Sequence, residues 1–157
     1  DEAQKSALCT HNHPEGVKGA QVIAGCGYLA KNGASKKEIK SYVQKKFGYS
    51  LNKRLSFYRV FSRFDMSCQK SVPLALQCFL ESDSWEECIR NVFSVRCDTD
   101  TIGAIAGGIA DAYFHGTGFD EDALLRQFLI KPNKFGAMDP FLYQWAIAKQ
   151  EESGEPS

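Results

Sequence analysis

Two carboxylates two residues apart, followed at once by a hydroxyl, make Asp98-Thr99-Asp100-Thr101 the string best equipped for chemistry in this sequence. Carboxylate and hydroxyl oxygens are hard donors, matched to Mg²⁺ or Mn²⁺ rather than to zinc. Behind them runs a stretch of small and apolar residues with a helical period. Ile102, Ile105/Ala106, Ile109 and Ala112/Tyr113 fall on one face of it. Asp98, Asp100 and Thr101 are therefore expected at the mouth of a buried helix, where free backbone N–H groups point outward. A second reading needs no metal: Asp and Thr are favoured at helix N-termini because they cap free N–H groups and suit the dipole. Cys97, beside Asp98, is set aside because a thiolate is a poor partner for Mg²⁺.

The helix behind the string has a composition that asks for neighbours. Gly103, Gly107 and Gly108 each lose up to about 1 kcal/mol against alanine in an isolated helix. Such residues make sense where the helix is packed closely on several sides, at the centre of a bundle.

The rest of the chain sets the bounds. It has 157 residues, 43% of them hydrophobic and 24% charged, as expected of one globular domain. Lys plus Arg equals Asp plus Glu at 19 each, so overall charge argues for neither a nucleic-acid nor a membrane partner. No apolar run reaches the length of a membrane span and no secretory signal is visible. Six scattered cysteines form no CxxC pair. They read as free thiols in a reducing, cytoplasmic setting, most of them packed as small hydrophobes.

Taken in order, residues 1–10 read as the end of a helix. Thr10-His11-Asn12-His13 is a polar break, and Pro14 suits the first turn of a helix reaching Ala30. His13 could cap that helix or touch a ligand. Ser35-x-x-Glu38 and Ser84-x-x-Glu87 are capping boxes opening helices to Phe47 and Phe93. Between them, Arg59-Val60-Phe61 reads as a short strand or extended loop, and Ser71-Val72-Pro73 as the start of a helix ending near Leu80. The helix from Thr99 ends near Phe114, and His115 opens a turn in a structural role. Further helices are expected over 120–130 and 139–149. The fold class is all-α: a compact helical bundle around a central, small-residue-rich helix, with residues 1–150 as a single domain and 151–157 as a polar tail. Between Lys31 and Arg63 stand ten Lys or Arg residues and one acid, Glu38. That stretch is either a solvated helix face or a basic rim for a phosphate-bearing ligand.

Three motifs occur in an order that resembles the ADP-ribosylglycohydrolase family, which includes the dinitrogenase reductase-activating glycohydrolases. They are Thr10-His11-Asn12-His13-Pro14-Glu15-Gly16 with Gly19-Ala20, then Ser71-Val72-Pro73-Leu74-Ala75-Leu76, then Asp98-Thr99-Asp100-Thr101-Ile102 with Ala104-Ile105-Ala106-Gly107. The resemblance implies hydrolysis of the bond joining ADP-ribose to a protein side chain or small molecule, at a binuclear Mg²⁺ or Mn²⁺ site. It implies metal ligation by Asp98, Asp100 and Thr101, and a ligand cleft lined by His11, Ser71 and Val72. Where members carry Gly-Gly before the first Asp, this chain has Arg96-Cys97. It holds no T-D-D-T, the motif that supplies the family's other metal ligands. With Asp1 in place of a Met, the sequence is read as the C-terminal half of a longer domain, either a fragment cut from it or a partner to the missing half on a second chain. A non-catalytic ADP-ribose-binding or interaction module is the alternative.

Overall fold

Why the chain folds around one helix is visible in how its small residues are used. The computed structural model describes residues 2–9, 13–61, 67–120 and 123. Every regular element among them is helical: α1 (Glu2–Leu8), α2 (Pro14–Lys31), α3 (Lys36–Phe47), α4 (Leu55–Phe61), α5 (Cys68–Leu80), α6 (Trp85–Phe93) and α7 (Thr99–Phe114). The all-α expectation is met. By its internal contacts the chain divides into two compact units, residues 1–117 and 118–157. In the second, the described part is short: the Asp120 carboxylate accepts the Ala123 N–H at 2.9 Å. Most of the helix expected over 120–130, the whole of that over 139–149 and the 151–157 tail lie outside the described residues.

In the first unit α7 packs against α2, α5 and α6 together. Ile102, Ala106, Gly107, Ile109 and Ala110 are buried along it. Gly107 lies under α6: the Trp85 indole N–H donates to the Gly107 carbonyl at 3.1 Å, and the Cys88 thiol reaches the Ala106 carbonyl at 3.6 Å. From α2 come Val22, Cys26 and Ala30; from α5 nine consecutive residues, Ser71 to Phe79, are buried. Cys26, Cys78 and Cys88 are buried free thiols, and burial pushes the Cys26 and Cys88 thiols up to about 12 and about 11.

Local signals set most helix ends. Ser35 and Glu38 complete a capping box, with the Glu38 carboxylate accepting the Ser35 N–H at 2.7 Å. Gly48 ends α3 at φ 70°, a left-handed conformation that glycine adopts without a Cβ penalty. Ser84 accepts the Glu87 N–H at 3.1 Å, while the Glu87 carboxylate takes the Asp83 N–H at 2.6 Å. His115 ends α7 in the left-handed region. Lys36 ties the bundle across its layers. Its ammonium donates to the Ser82 carbonyl and sits 5.5, 5.6 and 5.3 Å from the Phe79, Tyr113 and Phe114 rings. Burial lowers its pKa, with Asp83 opposing.

Two expectations are corrected. Arg59-Val60-Phe61 is neither strand nor loop but the last turn of α4. That helix begins where the Glu81 carboxylate, 26 residues away, accepts the Leu55 N–H at 2.7 Å, and the Phe57 and Phe61 rings meet at 4.9 Å one turn apart. The Ser71-Val72-Pro73 segment does not start α5. The helix begins at Cys68, and Pro73 is interior. The ring has no N–H for the Gln69 carbonyl, the i−4 acceptor. Burial of the whole Ser71–Phe79 run outweighs that loss.

The packing of α7 separates its two faces. Ala106→Leu, at a fully buried position, is expected to destabilise the protein by about 1–3 kcal/mol through overpacking. Ala104→Leu, on the exposed face, is expected within about 0.5 kcal/mol of the parent. Urea unfolding of both variants checks the contrast.

Candidate functional site

The mouth of α7 gathers three of the residues singled out from sequence. Asp98 occupies the N-cap position, where its carbonyl accepts the Ile102 N–H at 2.9 Å. Its side chain makes no capping hydrogen bond. The Asp100 carboxyl and the Thr101 side chain are its polar neighbours instead. Asp100 Oδ1 accepts the Thr101 N–H at 2.9 Å. The neighbouring Asp100 carboxyl, with Thr101 opposing, holds Asp98 above the ordinary carboxylate range. The Asp98 carboxyl, helped by the Thr101 N–H, holds Asp100 below it. Oxygens converge here at an exposed helix mouth that is also the positive end of a dipole. A divalent ion suits such a set because it screens two carboxylates that otherwise repel. The soft donor next to them turns away: the Cys97 thiol points to the Val92 carbonyl at 3.6 Å.

Next to this mouth opens a cleft of about 590 Å³ that Cys97 also lines. Glu15 and Lys18 of α2 form one side, and Gly48, Tyr49, Ser50 and Lys53 with Phe57, Tyr58 and Phe61 of α4 another. Gln69, Lys70, Ser71, Pro73 and Leu74 of α5 complete it. Gln69 and Pro73, the pair left without a helical hydrogen bond, both lie on this wall. The volume falls within the roughly 300–1,000 Å³ of small-molecule sites. Aromatic rings and ammonium groups alternate around it. Lys18 Nζ lies 4.4 Å from the Tyr49 ring centroid, and Lys53 Nζ 4.4 Å from that of Phe57. Tyr49 is 7% exposed, yet its hydroxyl has no hydrogen-bond partner among the described residues. Burial first, then Glu15 and Cys68, push that phenol up to about 12. It stays a neutral donor at any physiological pH.

The other candidates divide. Ser71 lines the cleft. Val72, one residue on, is buried against α2, its Cγ2 being 3.4 Å from where a Cβ on Gly19 would stand. His11 lies outside the described residues. His13 caps α2, its Nδ1 accepting the Glu15 N–H at 3.2 Å. His115 is the C-cap of α7. Tyr49, Phe57, Tyr58 and Phe61 were not singled out from sequence. The signal was there, since aromatic residues interleave with Lys53, Arg54 and Arg59 within the basic stretch. Their spacing showed no helical face without the tertiary cap on α4.

A family model described as ADP-ribosylglycohydrolase matches residues 1–127 of the chain. No curated protein and no solved structure gives a significant match.

The unpartnered Tyr49 hydroxyl carries a stability consequence. A buried donor without an acceptor costs about 1–3 kcal/mol. Tyr49→Phe is therefore expected to stabilise the ligand-free protein by about 1 kcal/mol, read as a higher urea midpoint. A lower midpoint would mean that the hydroxyl has a partner.

Proposed function

This chain belongs to the ADP-ribosylglycohydrolase family, and from that premise we propose that it serves hydrolytic release of ADP-ribose from a modified protein side chain or small molecule. The observation that carries the proposal is the convergence of Asp98, Asp100 and Thr101 at the mouth of α7, beside a cleft lined by Cys97 and Ser71. In this reading Asp98, Asp100 and Thr101 hold Mg²⁺ or Mn²⁺. A divalent ion held by these residues would supply polarisation of ribose oxygens and a lowered pKa for bound water. The chain's own residues do the rest. Lys18, Lys53 and Lys70 rim the cleft with positive charge for the diphosphate. The rings of Tyr49, Phe57 and Phe61 offer apolar faces to the base. The Tyr49 hydroxyl donates to a ligand oxygen, which ends its isolation. Ser71 faces the ligand, Val72 fixes α5 on α2, and His11 positions the ligand as the resemblance implies. Water then adds at the anomeric carbon as the bond to the modified group breaks with oxocarbenium character, as in glycoside hydrolysis, its OH going to ADP-ribose and its proton to the released group.

The family's other metal ligands come from a T-D-D-T motif absent from this sequence. This reading therefore calls for further ligands beyond the given sequence, on the same polypeptide or on a partner chain. A non-catalytic ADP-ribose-binding module is the second reading. What favours it is the donor count: among the described residues no group of three His, Cys, Asp or Glu is placed to hold a metal.

One variant separates metal ligand from helix cap. Asp100→Ala is expected to bring ADP-ribose release, with Mg²⁺ supplied, below detection in whatever assembly is active. Its unfolding free energy should stay within about 0.5 kcal/mol, as for other exposed positions. A variant that melts lower but turns over normally would make Asp100 a cap and remove the metal assignment. In a separate titration of the chain alone, Mn²⁺ is expected to bind weakly, since three oxygen donors leave half of an octahedral shell to water. Its paramagnetic broadening should begin at the amides of residues 98–102. Tight binding of two ions would contradict the expectation.

A further inference from the structure

A second, smaller cleft of about 280 Å³ lies between α3, the segment leading into α4 and the end of α5. It has no part in the reading above. Lys36, Lys37 and Lys40 of α3, with Arg54, put four cationic side chains on its walls, and Glu81 is its one acid. That acid is already engaged. Its Oε1 accepts the Leu55 N–H at 2.7 Å and the Gln77 amide N–H at 2.5 Å. Lys36 is also committed, to the Ser82 carbonyl and the Asp83 carboxylate. Lys37, Lys40 and Arg54 remain as the cations that a ligand can recruit, and no ion pair of theirs is found among the described residues.

The floor carries an independent sign of a ligand. Gln77 is 5% exposed, and its side-chain oxygen, shielded from bulk water, has no hydrogen-bond partner among the described residues. The amide cannot turn to satisfy it, because its NH₂ is held by Glu81. A shielded carbonyl oxygen of this kind is costly unless something donates to it. Beside it stand Leu51 and Leu80, which give the cleft an apolar strip.

We propose that this cleft is a second ligand site, for a small phosphorylated polyol such as a sugar phosphate. The phosphoryl group lies among Lys37, Lys40 and Arg54, and a hydroxyl of the carbon skeleton donates to Gln77 Oε1. Lysine and arginine supply the charge-assisted bonds that a phosphate takes. The lone acceptor at the floor distinguishes a phosphorylated polyol from bare phosphate. The cleft's size admits a pentose phosphate but not a dinucleotide. The segment 48–54 connects the two clefts: Tyr49, Ser50 and Lys53 line the first, while Leu51, Asn52 and Arg54 line the second.

The test is a residue-resolved NMR titration of the full chain with ribose 5-phosphate, repeated with inorganic phosphate and with free ribose. Expected are saturable shifts at Leu51, Asn52 and the Gln77 side-chain amide. Affinity should fall at least tenfold in Lys40→Ala/Arg54→Ala and stay unchanged in Lys53→Ala, which belongs to the other cleft. Inorganic phosphate should bind at least tenfold more weakly than the sugar phosphate, and free ribose not at all. Circular dichroism of the double variant confirms that it is folded, which the half-buried Lys40 and the exposed Arg54 allow. Shifts confined to the first cleft, or shifts that rise linearly with ionic strength without saturating, would overturn the proposal. Equal binding of inorganic phosphate would also overturn it, because Gln77 would then have no role.

Discussion

The structure depends on one helix being thin. Three other helices press against α7, and they can do so because its buried positions carry Ala106, Gly107 and Ala110 alongside Ile102 and Ile109. Interiors are packed at near-crystalline density, so the distance between helix axes is set by the side chains at the contact. Larger residues along α7 would push α2, α5 and α6 outward. The same narrowness brings an indole N–H and a thiol from α6 onto backbone carbonyls of α7. The mouth of the helix, with Asp98, Asp100 and Thr101, is thus held by the most constrained element of the first unit. The requirement for rigid presentation of oxygen donors and the requirement for close packing are met by the same sequence of small residues.

How much of this was legible follows from where each signal resides. Helices α2, α3, α6 and α7 announce themselves locally, through Pro14 in a first turn, Ser35 with Glu38, Ser84 with Glu87, and the glycine- and alanine-rich period after Thr101. Their starts depend on side chains within four residues, which a linear reading captures. Helix α4 could not be read. Its cap is the Glu81 carboxylate of another element, and its apolar residues cover a cleft wall and face solvent rather than forming one buried stripe. Pro73 misled for the opposite reason. A local rule places proline in first turns, whereas here tertiary burial tolerates it in the interior. The three oxygen donors of residues 98–101 could be named from sequence. The cleft beside them could not, because its lining comes from four separate stretches of chain.

Electrostatics within the first unit is local rather than global. The chain as a whole has balanced charge, yet the basic stretch from Lys31 to Arg63 distributes its cations between two clefts and several aromatic faces. Lys36 is sequestered over three rings, Lys53 sits over one, and Lys37, Lys40 and Arg54 line the smaller cleft. A cation beside a ring keeps its charge while giving up part of its hydration. It therefore presents a stronger local field to an incoming anion than a fully solvated lysine does.

The remote cap on α4 has a consequence for the order in which the larger cleft is assembled. At seven residues α4 is too short to persist alone in water, and its first N–H is satisfied only once the end of α5 is in place. One wall of the cleft is therefore the last part of this unit to form and the first to come apart, while the opposite wall, on α5, belongs to the core. Local opening free energies should differ across the same cavity by several kcal/mol. An occupant bridging both walls lends the weak wall part of the strength of the strong one. The protein's residence on its ligand and the lifetime of this short helix then become one kinetic quantity, set by how often α4 lets go of α5.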